Sequence, residues 1–189
     1  MAPSSSNIIP AALCSFFLIL SCQFLVTKSD EALIQKLCHA TDQPEVCTTC
    51  VHRDPGSATA DGKGIAVQTV HCAEYDAEIL FNFTFNLWQN TPKQDPSYDT
   101  LQICTEQFLL AHDSFRGATV AIQAGGLNWR SVALNEINSQ VVPFLNRCLD
   151  LYKKNPQLPL PDRILAGTQI VSQDISIIVG IVNVLPGLV

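Results

Sequence analysis

Apolar residues recur every three or four positions along most of this chain. From Leu101 they run through Cys104, Phe108, Ala111, Phe115, Ala118 and Ile122, the one-sided spacing of an amphipathic helix. Ile164, Thr168, Val171, Ile175, Ile178, Val182 and Leu185 form a second such stripe near the C-terminus. Another begins near Asn128 and continues through Leu134, Ile137, Val141, Phe144, Cys148 and Leu151. The earliest, Ala66, Val70, Ala73, Ala77, Leu80, Thr84 and Leu87, is built from smaller side chains. Helix breakers separate the stripes: Asp54-Pro55-Gly56, Thr91-Pro92 through Asp95-Pro96, Gly125-Gly126, and Asn155 to Pro161. Four amphipathic helices on short loops favour antiparallel neighbours, which predicts an all-α, up-down-up-down four-helix bundle. Strand-like alternation is not sustained anywhere.

A smaller unit precedes the bundle. Asp30 is placed to cap a helix through Glu31 to His39, and Pro44 suits the first turn of a second helix toward Val51. With Thr41-Asp42-Gln43 between them, the two predict an N-terminal helical hairpin too small to be held by burial alone. Within the third bundle helix, Pro143 removes a backbone hydrogen bond. The apolar spacing continues past it, so a bend near Ser139 to Val142 is expected rather than a helix end.

Residues 1–27 carry no Asp, Glu, Lys or Arg, and Ile8 through Leu20 form an apolar run of signal-peptide length, shorter than a membrane span needs. Removal of this leader, with cleavage between 22 and 30, takes Cys14 and Cys22 with it and implies a secreted product with no membrane attachment afterwards. The domain then covers 30–187, enough residues for one substantial core. A hydrophobic tail from Ile175 to Val189 raises a rival reading as a lipid-anchor signal. Against it, the same residues complete the fourth helical stripe and no polar spacer precedes them. The formal net charge of −6 argues against a nucleic-acid partner.

Six cysteines remain: Cys38, Cys47, Cys50, Cys72, Cys104 and Cys148. An even count behind an export signal reads as a disulfide framework. Cys38 and Cys47 flank the hairpin turn, where a bond would contribute about 3 kcal/mol, and Cys104 and Cys148 lie on inward stripes where a bond would contribute about 4 kcal/mol. Cys47-Thr48-Thr49-Cys50 is formally a CxxC, but no βαβ pattern or second CxxC supports a redox or zinc role. Catalytic motifs are absent, and His112-Asp113-Ser114 cannot form a triad because helical neighbours point about 100° apart. No catalytic residue, metal site or cofactor is expected.

The run Leu33-Ile34-Gln35-Lys36-Leu37-Cys38 to Pro44-Glu45-Val46-Cys47, followed by Arg53-Asp54-Pro55-Gly56-Ser57, Ala60-Asp61 and Gly64-Ile65-Ala66, resembles the opening of the plant invertase and pectin methylesterase inhibitor family. The resemblance extends from about Asp30 to Leu185. It implies a four-helix bundle with an N-terminal hairpin and bonds from Cys38 to Cys47 and from Cys104 to Cys148. Cys50 and Cys72 are extra to that pattern. They are candidates for a third bond tying the hairpin to the first bundle helix, the alternative being two buried thiols.

The implied function is stoichiometric inhibition of a plant carbohydrate-active enzyme in the apoplast or cell wall, the vacuole being the less favoured place. Invertase inhibitors of the family often carry Pro-Lys-Phe after the second bundle helix. Here that stretch reads Gly126-Leu127-Asn128-Trp129, which keeps an aromatic residue, loses Pro and Lys, and shifts the expectation toward pectin methylesterase. Invertase inhibition and a divergent member that inhibits neither enzyme are the alternatives. Asn128 and Trp129, with the acidic Glu74 and Glu78 of the first bundle helix, are the candidate partner-facing residues, although Trp129 is equally suited to packing at a helix start. Asn82-Phe83-Thr84 is a glycosylation sequon that Asn82 can serve only by facing outward.

Overall fold

The computed structural model describes residues 31–185. The leader, the Asp30 cap and the last four residues lie outside that range. Helix α1 occupies residues 31–38, and α2 (Pro44–His52) starts with Pro44 in its first turn, where a missing N–H has no helical partner to lose. A 3₁₀ turn, Pro55–Thr59, follows, with the Asp54 carboxylate accepting from the Gly56 amide at 2.7 Å. Asp61 then caps α3 (Gly62–Asn90), its Oδ1 accepting from the Gly64 amide at 2.7 Å, a contact worth about 1 kcal/mol. Helix α4 (Tyr98–Ala124) ends at Gly125 and Gly126, with φ of 67° and 81°. That left-handed backbone disfavours any residue with a β-carbon. Helices α5 (Trp129–Glu136) and α6 (Val142–Lys154) are joined by a π-helical segment, Ile137–Val141, and α7 (Asp162–Val184) closes the bundle.

All described regular structure is helical, and the short loops turn each bundle helix back along its predecessor. Helix α3 packs against α4 on one side and α7 on the other, while α5 and α6 cover α4. Every expected stripe position on α4 and α7 is buried, as is every one on α3 except the partly buried Leu87. By length and composition α7 could cross a membrane, yet its apolar side forms the fourth wall of the core. Severing the chain near Ile175 would remove Ile177, Ile178, Ile181 and Val182 from that wall.

The third bundle helix departs from its expected register. Its buried residues are Ala133, Ile137, Val141, Leu145, Cys148 and Tyr152, whereas Leu134, Phe144 and Leu151 are only partly buried. Three consecutive steps of four would carry a regular α-helix about 120° around its axis, given 3.6 residues per turn. One wide turn, in which the Val142 amide donates to the Ile137 carbonyl, absorbs the extra residue and keeps the stripe facing inward. Helix continues through Pro143, with the irregularity just before it.

Three disulfides tie these parts together. Cys38 joins Cys47, Cys50 joins Cys72 and Cys104 joins Cys148, with Cα separations of 5.4, 6.0 and 4.8 Å. All three fall within the range a disulfide spans. The hairpin also docks by burial: Ile34, Leu37 and Val51 reach the core. Its turn lies so close to α7 that a β-carbon on Gly180 would sit 3.1 Å from Thr41 Cγ2 and 3.4 Å from the Ala40 carbonyl oxygen.

Candidate functional site

The outward side of α3 carries Glu74 and Glu78, singled out in the sequence, and a third acidic residue, Asp76, which the helix turns away from them. Glu74 and Glu78 are four residues apart and share a side. Glu74 turns toward α4, where Oε1 accepts from Arg116 Nε at 3.2 Å and lies 3.8 Å from His112 Nε2. Glu78 is exposed. Asp76, two residues along, points to the other side, with Arg53 Nη1 4.0 Å from its Oδ2. Tyr75 and Ile79 stand between the two sides, 57% and 45% exposed. Neighbours in sequence thus meet different partners.

His112-Asp113-Ser114 does not assemble into a catalytic group. The His112 ring bridges Glu74 and Asp113, and Ser114 Oγ donates to the Leu110 carbonyl at 2.8 Å. The two cysteines of Cys47-Thr48-Thr49-Cys50 have different disulfide partners. Among the described residues, no group of three or more His, Cys, Asp or Glu side chains is gathered to hold a metal ion.

At one end of the bundle, Gly125-Gly126-Leu127-Asn128 forms an exposed loop. Asn128 faces solvent, and its carbonyl accepts from the Val132 amide at 3.1 Å and from Ser131 Oγ at 2.9 Å. Trp129 is partly buried against the core, with the Lys63 ammonium 5.2 Å from its ring centroid, a cation–π contact that fixes the indole across the helix gap. Of the sequon, Asn82 is exposed, while Thr84 is fully buried and donates to the Leu80 carbonyl at 2.8 Å.

One polar group went unnoticed in the sequence. Asp174, on α7, is only 4% exposed, and its Oδ2 has no hydrogen-bond partner. It lines a 360 Å³ pocket between α2, α3 and α7 together with Asp76, Arg53 and the Cys50–Cys72 bond. Burial pushes its carboxyl up to about 7, helped by the neighbouring Asp76 charge and a hydrogen bond shared with it, and opposed by Arg53. The signal was its phase: Asp174 lies three residues after Val171 and four before Ile178, within the apolar stripe. Tyr152 is a second buried polar group, its hydroxyl unpartnered and pushed up to about 12 by burial.

The family model described as plant invertase/pectin methylesterase inhibitor matches residues 32–179. The chain belongs to this family. The family consists of non-catalytic protein inhibitors of enzymes, so this member is not an enzyme. It is 27% identical over 192 residues to a pectinesterase inhibitor of Actinidia deliciosa, covering 97% of this chain and 96% of that protein. To a cell wall / vacuolar inhibitor of fructosidase 2 from Arabidopsis thaliana it is 26% identical over 129 residues, 68% of this chain and 69% of the relative. The crystal structure of a pectin methylesterase inhibitor from Arabidopsis thaliana superposes with a TM-score of 0.58, covering 81% of this chain and 95% of that one. At 14% sequence identity, that likeness establishes the shared helical-bundle fold of this family member.

Proposed function

We propose that this protein inhibits a pectin methylesterase of the plant cell wall by forming a stoichiometric complex with it. The observation that carries the reading is the end-to-end match to a pectinesterase inhibitor, at 97% and 96% coverage. The exposed loop at Leu127 and Asn128, without Pro-Lys-Phe, agrees with it. A bundle held by short loops and three disulfides is ordered before it meets a partner, so docking costs little conformational entropy. Helix faces and loop ends supply the contact, and no chemistry is required of them. Export by the leader and occupancy of Asn82 belong to the same reading.

The match to a fructosidase inhibitor favours a second reading, inhibition of an acid invertase. Parallel titrations distinguish the two. Purified protein added to a pectin methylesterase at concentrations above the dissociation constant should remove activity linearly, ending near one inhibitor per enzyme. Acid invertase in the same series should keep its activity. Loss of invertase activity alone would transfer the function to the second reading, and loss of neither would overturn both.

A further inference from the structure

We infer that the pocket between α2, α3 and α7 receives a lysine or arginine side chain of the inhibited enzyme, whose cationic head reaches Asp174 and Asp76. The inference rests on the inhibitory reading for its partner, and on the pocket itself for its chemistry.

Three features select such a ligand. First, Asp174 is almost wholly buried, yet Oδ2 has no partner and the side chain lines an open pocket. Two carboxyls packed side by side cannot both ionise cheaply, so the Asp76–Asp174 pair needs a shared proton or a cation. Second, the pocket's charges do not balance. Asp76 and Asp174 face it from α3 and α7 and Glu45 from α2, while Arg53, at the end of α2, is the one basic residue lining it. The Arg53 side chain is 56% exposed and approaches Asp76 no closer than 4.0 Å, and it makes no hydrogen bond to Asp174 Oδ2. Arg163 and His71 belong to the adjoining grooves, with the Arg163 guanidinium over the Phe83 ring at 4.3 Å. Third, the opening is apolar: Val46 and Ile170 line it, with Ile79 beside Asp76 in the adjoining grooves. All three are 40–46% exposed.

An acidic floor beneath an apolar rim matches a long amphipathic side chain, whose methylene stem covers the rim while its head reaches the carboxylates. A calcium ion is a poorer fit, since it requires six to eight oxygen ligands and no use is made of the aliphatic rim. An anionic uronate sugar would be repelled. Cation entry would also draw the proton from Asp174, so binding should release protons near neutral pH.

Two arms test this on the intact, disulfide-bonded protein. In the first, the Asp174 carboxyl carbon is followed by NMR at pH 6.5 while n-butylguanidinium is added, with n-butanol as the apolar control. The cation should move the Asp174 resonance toward the ionised position and the alcohol should not. An unmoved resonance overturns the site, whether or not any enzyme binds. In the second arm, calorimetric titration of pectin methylesterase in two buffers of different ionisation enthalpy should show proton release. Asp174→Asn should abolish that release and weaken binding about tenfold or more, with the fold checked by near-UV circular dichroism. Unchanged affinity and unchanged proton release in this variant overturn the docking claim. If butylguanidinium binds but the wild-type protein binds no esterase, the inhibitory reading fails and the enzyme is removed as the source of the cation.

Discussion

Asp174→Asn should make the protein more stable at neutral pH and leave it nearly unchanged at acid pH. A carboxyl that ordinarily titrates at 3.8 and is held up to about 7 binds its proton more tightly in the folded state than in the unfolded state. Stability from this group is therefore greatest below about pH 4, declines as pH rises, and levels off above about 7. The slope between those limits is about 1.4 kcal/mol per pH unit, giving roughly 4 kcal/mol at most. Asparagine keeps the shape and removes the charge, so the variant should lack this slope. Urea denaturation followed by far-UV circular dichroism at pH 4.5, 6 and 8 measures the difference. The two proteins should agree within about 1 kcal/mol at pH 4.5, and the variant should be about 2–4 kcal/mol more stable at pH 8. Pairs common to both proteins, such as His52 with Glu31, cancel in the comparison. Parallel stability curves for the two proteins across this range would refute the assignment of a buried, neutral carboxyl.

Peptide mapping without reduction should recover Cys50 cross-linked to Cys72. Replacing both by serine should cost about 3 kcal/mol for a closed loop of this length, and alkylation of both thiols in the native protein would contradict the bond. Phe115→Ala, at a fully buried position on α4, should lose about 3–5 kcal/mol in denaturant titrations, and a loss below about 1 kcal/mol would mean the bundle core is not packed there. Deleting Gln140 together with Pro143→Ala should convert the wide turn into regular helix and preserve the near-UV spectrum. Deleting Asp113 from the uninterrupted α4 should abolish that spectrum, since it turns every later residue by about 100°; equal tolerance of both deletions would refute the register argument.

The bundle was legible because three of its four long helices have an unbroken 3-and-4 rhythm, which puts a single face inward whatever the neighbours do. In the third helix the expected stripe is one residue off at Leu134, Phe144 and Leu151, where Ala133, Leu145 and Tyr152 are the buried residues, and correct at Ile137, Val141 and Cys148. Its three steps of four are satisfied by a π turn, and the presence of Pro143 signals an irregularity without specifying that it widens the helix. Asp76 was not singled out for a geometric reason: it sits between Glu74 and Glu78 in sequence, but it lies about 200° from Glu74 around α3 and belongs with Arg53 and Asp174. Asp174 itself was hidden by its identity. An aspartate among Gln173, Ser172 and Ser176 reads as a wet face, although its position in the stripe places it inside. Trp129 shows the reverse case, since its partial burial and its Lys63 contact depend on α3 lying beside the start of α5, which no local pattern encodes.

The disulfide map has a consequence for how this molecule could be divided. Cys38–Cys47 closes the hairpin, Cys50–Cys72 fastens it to α3, and Cys104–Cys148 links α4 to α6. Helix α7 contains none of these cysteines, and non-covalent packing keeps its place in the bundle. It is therefore the natural detachable part of the bundle, joined to α6 through the partly buried connection from Asn155 to Pro161. Cut there, the protein becomes a cross-linked three-helix acceptor and a linear helical peptide able to rejoin it, and half of the Asp76–Asp174 pair is delivered only when the two fragments reassemble.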